Sequence, residues 1–295
     1  MPGCVRHPDR PTGLRCTRCD RPACPSCLRE ASVGYQCVDC VNEGQRTVRR
    51  ATTVAGAPAL GGGRRLVVMP ILVALNVVVY VVTAIQAHSV GQNQNSELFL
   101  DWYLSPGTVA SGEWWRLLTS GFLHFGPVHI ALNMIALYVL GRDLEPLLGR
   151  LRFAVVYAVS LLGGGISVFL FGGFSTAVAG ASGAVFGLMG GIAVVIFRLK
   201  LNPGPVLGII AINVFMSVTL SGISLLGHLG GLVVGAVTTA AMVYSPPASR
   251  NAWQWGTVVA LVVALVGLAL VRDAQYGQVI CDPSVGCVRI IVRNL

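Results

Sequence analysis

Residues 180–199 have the sequence GASGAVFGLMGGIAVVIFRL, which is almost uncharged and carries glycine at a regular interval. A membrane-spanning helix needs about 20 mostly apolar residues, so this stretch predicts a transmembrane helix over 181–199. Gly183, Gly187 and Gly191 share one face of that helix and allow a second helix to pack closely. Ser182 stands at the helix start, where serine most often caps free backbone N–H groups. The same free N–H groups and the positive end of the helix dipole would stabilise a developing oxyanion.

The rest of the chain has the same apolar character. Of its 295 residues, 54% are hydrophobic and 11% are charged, and the mean hydropathy is +0.71. Soluble domains carry about 25% charged residues. This composition excludes an ordinary cytosolic globule, a disordered chain and a basic nucleic-acid-binding domain, so we expect no nucleic-acid partner. We predict an all-α polytopic membrane protein in the lipid bilayer of the cell (plasma) membrane.

Six further apolar stretches have about the length of a membrane span. They cover 66–85, 127–141, 153–171, 203–220, 225–244 and 255–271. No secretory signal is visible, because the first apolar run begins at Leu66. With the N-terminus inside, the inner segments hold 17 lysines and arginines and the outer segments hold four. This bias favours seven spans, a cytoplasmic N-terminus and an outer C-terminus.

The composition changes along the chain predict five parts. A cysteine-rich module covers 1–46, and a linker rich in glycine and alanine covers 47–65. The remaining parts are a six-helix core at 66–244, a seventh span at 245–272 and an outer tail at 273–295.

Polar side chains occupy the starts of three predicted spans. His129 and Asn133 are four residues apart on one helix face, and His228 opens the sixth span. The second, fourth and sixth spans run from outside to inside, so these residues and Ser182 are predicted to lie at similar depth. A polar stripe that only joins helices by hydrogen bonds is the plain alternative. Otherwise the chemistry available is a Ser–His dyad with Asn and His donors, since no Asp or Glu lies in these helix starts.

Together these motifs resemble the rhomboid family of intramembrane serine proteases. The matching pieces are H-x4-H-x3-N from His124 to Asn133, G-x-S-G from Gly180 to Gly183, H-x2-G-x3-G from His228 to Gly235, and Trp115-Arg116 in the long first outer loop. The resemblance covers about 66–244. It implies a rhomboid-like six-helix core, here followed by a seventh C-terminal span.

The resemblance also implies a role for each matching residue. Ser182 would be the nucleophile, and His228 the general base and acid. The implied oxyanion donors and supporting residues are Asn133, His129 and the Ser182 backbone N–H, then His124, Gly180 and Gly183. The implied reaction is hydrolysis of peptide bonds in or near the transmembrane helices of membrane-protein substrates, and it needs no cofactor.

Two other classes of protein stay open at this point. A non-catalytic rhomboid-like membrane protein would bind or escort other transmembrane helices, and its polar residues would be structural. Such relatives typically lose the serine or the histidine, whereas Ser182 and His228 are both present here. A transporter is disfavoured, because the sequence has no visible internal repeat and no acidic residue within a predicted span.

The N-terminal module carries four pairs of ligand-type residues, each with a two-residue gap. This gap suits two ligands of one tetrahedral zinc ion, so eight ligands imply two structural zinc ions. The spacing resembles that of B-box zinc fingers, which favours a cross-braced scheme over a sequence-adjacent one. The cross-braced scheme assigns one zinc to Cys4, His7, Cys24 and Cys27, and the other to Cys16, Cys19, Cys37 and Cys40.

A disulfide cluster and a single zinc with spare thiols are the alternatives for this module. The disulfide cluster is disfavoured, because the segment is predicted to stay in a reducing compartment. We expect a protein partner to dock on the module, which is predicted to lie across the membrane from Ser182.

Cys281 and Cys287 remain once the zinc ligands are assigned. An Asp-Pro pair and a glycine between them give the turn that a short loop needs. An outer tail would lie in an oxidising setting, so we predict a disulfide between these two cysteines. Two free thiols are expected if the tail is inside.

Overall fold

The computed structural model describes residues 1–47, 52–58, 66–220, 222–282 and 286–289. The chain divides into two compact units, Met1–Ala51 and Thr52–Leu295. Residues 48–51 and 59–65 of the predicted linker lie outside the described residues, as do 283–285 and 290–295 of the predicted tail.

The first unit consists of two small hairpins and one helix. Its elements are β1 (Gly3–Cys4), β2 (His7–Pro11), β3 (Leu28–Glu30), β4 (Tyr35–Cys37) and α1 (Val38–Thr47). Strand β1 pairs with β2, and β3 pairs with β4, both antiparallel. Among the described residues, the buried hydrophobic cluster contains six cysteines and only two other side chains, Ala23 and Leu28. Apolar burial therefore contributes little here, and the unit needs another source of stability.

The second unit is a helical bundle with a C-terminal hairpin. Its described helices are α2 (Val68–Gln86), α3 (Glu97–Trp102), α4 (Pro106–Ala110), α5 (Arg116–Thr119), α6 (Gly126–Leu148), α7 (Arg150–Phe171), α8 (Ser182–Arg198), α9 (Gly204–Thr219), α10 (Leu225–Val243) and α11 (Arg250–Tyr276). Strand β5 (Val279–Asp282) pairs antiparallel with β6 (Gly286–Arg289).

Each predicted span is helical in the structure. Within the described residues, four helices are long and apolar enough to cross a membrane, or five if the bent pair Arg116–Phe122 and Gly126–Leu148 is one span. Helices α8 and α9 are shorter. At 1.5 Å per residue α8 measures about 26 Å, a little less than a hydrocarbon core of about 30 Å. The chain is a multi-pass membrane protein, and its number of spans stays a prediction.

Helix α6 continues beyond the end of the second predicted span, from 141 to Leu148. The added turns carry Glu145, which is fully buried. Its carboxylate accepts hydrogen bonds from the backbone N–H groups of Val67 (2.8 Å), Val68 (3.1 Å) and Met69 (2.9 Å). The first N–H groups of a helix have no partner within it, so Glu145 stabilises the start of α2.

Part of the predicted linker packs against the bundle instead of running free. Ala55 is fully buried, and its carbonyl oxygen accepts a hydrogen bond from the Gln254 side chain at 3.0 Å. The same amide group donates to the carbonyl oxygen of Met242 at 2.7 Å. Residues 52–58 are small enough to fit there, so composition alone did not distinguish them from a linker.

Helix α8 lies at the centre of the bundle and packs on α6, α7, α9 and α10. A Cβ at Gly231 of α10 would overlap the carbonyl oxygen of Gly183, and one at Gly235 would overlap the backbone of Gly187. These paired contacts run in the same order along both helices, so α8 and α10 are parallel. His129 lies beside Gly180 and so places the start of α6 at the same end. We call the end at which α6, α8 and α10 begin the site end.

Candidate active site and metal sites

The chain enters α8 through a turn that favours glycine. Gly180 has a φ of +136°, a conformation in which an L side chain is strained. Its N–H donates to the Ser120 carbonyl oxygen at 2.9 Å, and the Ala181 N–H donates to Nε2 of His124 at 3.5 Å. These bonds fix the segment that presents the half-buried Ser182.

His129 lies directly against this turn. A Cβ added at Gly180 would lie 3.0 Å from Nε2 of His129 and 3.6 Å from the hydroxyl oxygen of Ser182. The other ring nitrogen, Nδ1, accepts a hydrogen bond from the Phe125 N–H at 3.2 Å. In the neutral ring Nε2 therefore carries the proton. His129 presents an N–H donor beside the turn that leads into Ser182.

Asn133 and His124 complete this side of the site. Asn133 is buried one turn after His129, and its amide nitrogen donates to the His129 carbonyl oxygen at 3.0 Å. That bond uses one of the two amide hydrogens, and the second suits an incoming oxygen. His124 is fully buried, with its ring edge-on to His129 and the centroids 5.1 Å apart. His124 thus supports both His129 and the turn before Ser182.

His228 reaches the site from α10. Its ring stacks on Phe186, with centroids 4.0 Å apart and planes 15° from parallel. Phe186 lies one turn after Ser182 on the same face of α8, so the stacking holds the imidazole on the face that carries Ser182. The close backbones of Gly183 and Gly231 allow this approach.

Two residues that contact His228 were missed by the sequence analysis. Phe186 gives no sequence signal, because an aromatic side chain in an apolar helix is ordinary. Ser217 of α9 is buried, and its hydroxyl oxygen lies 2.7 Å from Nδ1 of His228. Its signal was a polar residue inside the apolar stretch 203–220, the same kind of signal that singled out His129.

A small cavity of about 30 Å³ borders Ser182. A water molecule needs about 10–15 Å³ by this measure, so the cavity has room for one. Three serines, Ser120, Ser182 and Ser224, are among the residues that line it. The cavity offers a place for the water that a hydrolysis consumes.

Trp115 and Arg116, the matching pair in the predicted first outer loop, differ in burial. Trp115 is half exposed, whereas Arg116 is buried. The guanidinium group of Arg116 donates to the carbonyl oxygens of Leu100 (2.7 Å) and Tyr103 (2.9 Å), and it pairs with Glu113. Arg116 therefore ties α3 and α5 together.

Helix α11 extends into the predicted tail as far as Tyr276, and the described residues from Val279 onward form the β5–β6 hairpin. Cys281 lies opposite Cys287 in its register, and a disulfide joins the two. The hairpin packs on α4, where Sγ of Cys281 lies 3.7 Å from the Gly107 carbonyl oxygen. Leu104, just before α4, bridges to Val178, which precedes the turn at Gly180. The hairpin thus lies at the site end.

The first unit groups its eight ligand-type residues into two sets, and the sets are those of the cross-braced scheme. Within each set the ligand atoms lie within 4.8 Å of one another: Cys4, His7, Cys24 and Cys27, and then Cys16, Cys19, Cys37 and Cys40. Either set could bind a metal ion.

The distances within the sets suit a tetrahedral zinc ion. With Zn–S bonds of 2.3 Å, two sulfur ligands are about 3.8 Å apart. Sγ of Cys19 and Sγ of Cys37 are 3.8 Å apart. Nδ1 of His7 lies 3.3 Å, 3.5 Å and 3.9 Å from the sulfur atoms of Cys27, Cys24 and Cys4. The donor atoms already stand where a bound ion needs them.

The Cys24 thiol is prepared for metal binding. A hydrogen bond from the Ser26 hydroxyl, at 3.0 Å, is the largest cause that lowers the pKa of Cys24, to about 5. The thiolate is the form of cysteine that ligates metals, so the lowered pKa of Cys24 favours metal binding.

The comparison with known proteins assigns the helical bundle to a family. The Rhomboid domain family matches residues 111–245, a range that contains Asn133, Ser182 and His228. Putative rhomboid protease YdcA of Bacillus subtilis (strain 168) is 34% identical over 174 residues, which are 57% of this chain and 84% of that protein. The chain belongs to the rhomboid family.

Two further relatives show how much of their length is shared. Rhomboid protease GluP of Bacillus subtilis (strain 168) is 37% identical over 139 residues, which are 45% of this chain but 27% of that protein. Rhomboid protease AarA of Providencia stuartii is 26% identical over 222 residues, 64% of this chain and 77% of that protein. The match to the Rhomboid domain begins at residue 111, so the first unit lies outside it.

Proposed function

We propose that the chain is an intramembrane serine endopeptidase that hydrolyses peptide bonds in or near the transmembrane helices of membrane-protein substrates. The observation that carries the proposal is a grouping at the site end of a rhomboid-family bundle, where His129 lies beside the turn that precedes Ser182 and His228 stacks on Phe186, one turn after Ser182. The names of the relatives, which include three rhomboid proteases, support a peptidase.

Each of these residues has one task in the proposed reaction. Ser182 Oγ attacks the carbonyl carbon of the substrate bond while Nε2 of His228 accepts its proton. The oxyanion is stabilised by the Nε2–H of His129, the side-chain amide of Asn133 and the backbone N–H of Ser182. His228 returns the proton to the leaving amine, and a water molecule then hydrolyses the acyl-enzyme.

The substrate helix must unwind at the cleaved bond, because a helical amide is shielded and hydrogen-bonded. A glycine near that bond lowers the cost of unwinding by about 1 kcal/mol relative to alanine. The proposed substrates are therefore transmembrane helices with small or helix-breaking residues close to the site end.

The proposed orientation has a cytoplasmic N-terminus and an outer C-terminus. The lysine and arginine bias supports it. The Cys281–Cys287 disulfide supports it as well, because disulfides persist in oxidising compartments. The hairpin that carries this disulfide packs at the site end, so the same orientation makes Ser182 face the outer side.

The first unit is proposed to hold two structural zinc ions, one in each set of ligands. The sulfur and nitrogen distances support this assignment. Metal analysis of the purified full chain should give two equivalents of zinc, and one equivalent or none would contradict the assignment. A protein partner is the proposed ligand of the folded module.

Cleavage of a model transmembrane substrate by purified protein tests the proposed activity. Ser182→Ala and His228→Ala should lower kcat by about 10⁴-fold or more. Asn133→Ala should lower it by about 10²–10³-fold, because the other oxyanion donors remain. Ser175→Ala, at an exposed serine, is the matched control and should cleave like the parent. Full activity of Ser182→Ala would refute the proposal, and a folded parent that binds but never cleaves would favour the non-catalytic alternative.

A further inference from the structure

His228 has a hydrogen-bonding partner on α9, a helix that is otherwise exposed or only partly buried. The structure describes every residue of α9, and among them Ser217 alone is buried. Its hydroxyl oxygen lies 2.7 Å from Nδ1 of His228. The one buried side chain of this helix is thus the one that contacts the proposed general base.

The direction of this hydrogen bond follows from counting protons. Ser217 Oγ also lies 2.7 Å from the carbonyl oxygen of Asn213, one turn earlier in α9. A carbonyl oxygen can only accept, so the single proton of the Ser217 hydroxyl is donated to Asn213. Towards His228 the hydroxyl oxygen must therefore accept, and Nδ1 of His228 must carry a proton.

We propose that Ser217 is a positioning residue that holds His228 in the tautomer with Nδ1 protonated, which leaves the Nε2 lone pair for the proton of Ser182. This inference rests on the proposed function. In a serine protease triad a carboxylate makes this bond to the histidine. Here a hydroxyl on α9 takes that place, and Asn213 fixes the direction in which it works.

The hydrogen bond from His228 to Ser217 also stabilises the protonated form of His228. Once His228 has taken the proton of Ser182, its Nδ1–H still donates to the Ser217 oxygen. A neutral hydroxyl stabilises the imidazolium less than a carboxylate does. Removing the Ser217 hydroxyl should therefore lower the rate about tenfold, which is the effect of losing one hydrogen bond. Loss of the carboxylate from a serine protease triad lowers the rate about 10⁴-fold.

Three variants separate this role from a structural one. Ser217→Ala removes the acceptor, and Ser217→Thr keeps a hydroxyl at the same place. Thr219→Ala is the matched control, because Thr219 makes the same kind of bond to the carbonyl oxygen four residues earlier but is exposed. We expect kcat of Ser217→Ala to fall about tenfold with KM unchanged, and Ser217→Thr and Thr219→Ala to cleave like the parent.

A second measurement does not depend on activity. Nitrogen NMR of protein labelled at histidine distinguishes a protonated from an unprotonated ring nitrogen, and the His228 signal is assigned by its loss in His228→Ala. The parent should show a protonated Nδ1 and an unprotonated Nε2, whereas Ser217→Ala should show a mixture of the two tautomers. The Thr219→Ala spectrum should match that of the parent.

The outcomes distinguish this inference from the proposed function. A parent that cleaves nothing contradicts the proposed function, and the nitrogen signals still decide the tautomer. A parent that cleaves, together with a Ser217→Ala variant of equal kcat and an unchanged His228 signal, overturns the positioning role alone. A fall in kcat that Ser217→Thr does not restore, with unchanged nitrogen signals, overturns it as well.

Discussion

The two units of the chain use their polar and chemically reactive side chains in opposite ways. In Met1–Ala51 these side chains are the core, because six of the eight ligand-type residues make up most of the buried cluster. In Thr52–Leu295 the centre is made by glycine contacts between α8 and α10, and the reactive side chains lie at one end of it. Loss of a ligand should therefore unfold the first unit, whereas loss of a reactive side chain should leave the second unit folded.

Removing the metal should have the largest effect that this comparison predicts. Structural zinc supplies about 10–16 kcal/mol of binding free energy to small modules, and the first unit has little apolar core to replace it. A strong chelator added to the full chain should abolish the amide hydrogen-exchange protection of residues 1–47. Protection of the bundle helices should stay unchanged and serves as the internal control. A first unit that stays protected in chelator would mean that something other than metal holds it together.

A side chain at the glycine contact should destabilise the second unit. Gly231→Val would drive its side chain into the carbonyl oxygen of Gly183, and we expect the free energy of unfolding to fall by about 3 kcal/mol. Gly267→Val in α11 is the matched control, because a Cβ at Gly267 meets nothing within 4 Å. Chemical unfolding in detergent measures both variants. Equal losses in the two would show that close packing of α8 on α10 is not what stabilises the bundle.

The disulfide of the tail should have the smallest effect. Its closed loop is short, so the stabilisation is about 2–3 kcal/mol at most and is confined to the hairpin. Cys281→Ser combined with Cys287→Ser should lower exchange protection of β5 and leave substrate cleavage unchanged. Alkylation of intact cells, with and without prior reduction, locates the two thiols. Labelling without reduction, and only after the membrane is permeabilised, would contradict the outer tail and the count of seven spans.

The spacing of residues along the sequence predicted which side chains lie close together within one metal site or on one helix face. A two-residue gap places two cysteines on one metal, and a four-residue gap places His129 and Asn133 on one helix face. Hydropathy found every long helix, because each carries an apolar run. In both units, these predictions concern residues that are near one another in the sequence.

The glycine spacing predicted that a second helix packs closely on α8, but the individual side-chain contacts between helices were beyond the sequence. Phe186 under His228, Ser217 beside its Nδ1, and Glu145 at the start of α2 each join two helices. Hydropathy does not determine which face of a helix contacts its neighbour, so it cannot predict which residues of two helices meet. Glu145 lay outside the predicted second span because Arg142 and Asp143 ended the apolar run, although α6 continues through it.

The central claim is that Ser182 is an activated nucleophile. A fluorophosphonate probe reacts with such a serine and leaves an adduct that peptide mass spectrometry can locate. Treatment of the purified protein in detergent should give one adduct, on Ser182, and none in Ser182→Ala. His228→Ala should label far more slowly, because an unassisted serine hydroxyl is a poor nucleophile. An adduct on another serine, or undiminished labelling of Ser182→Ala, would contradict the account.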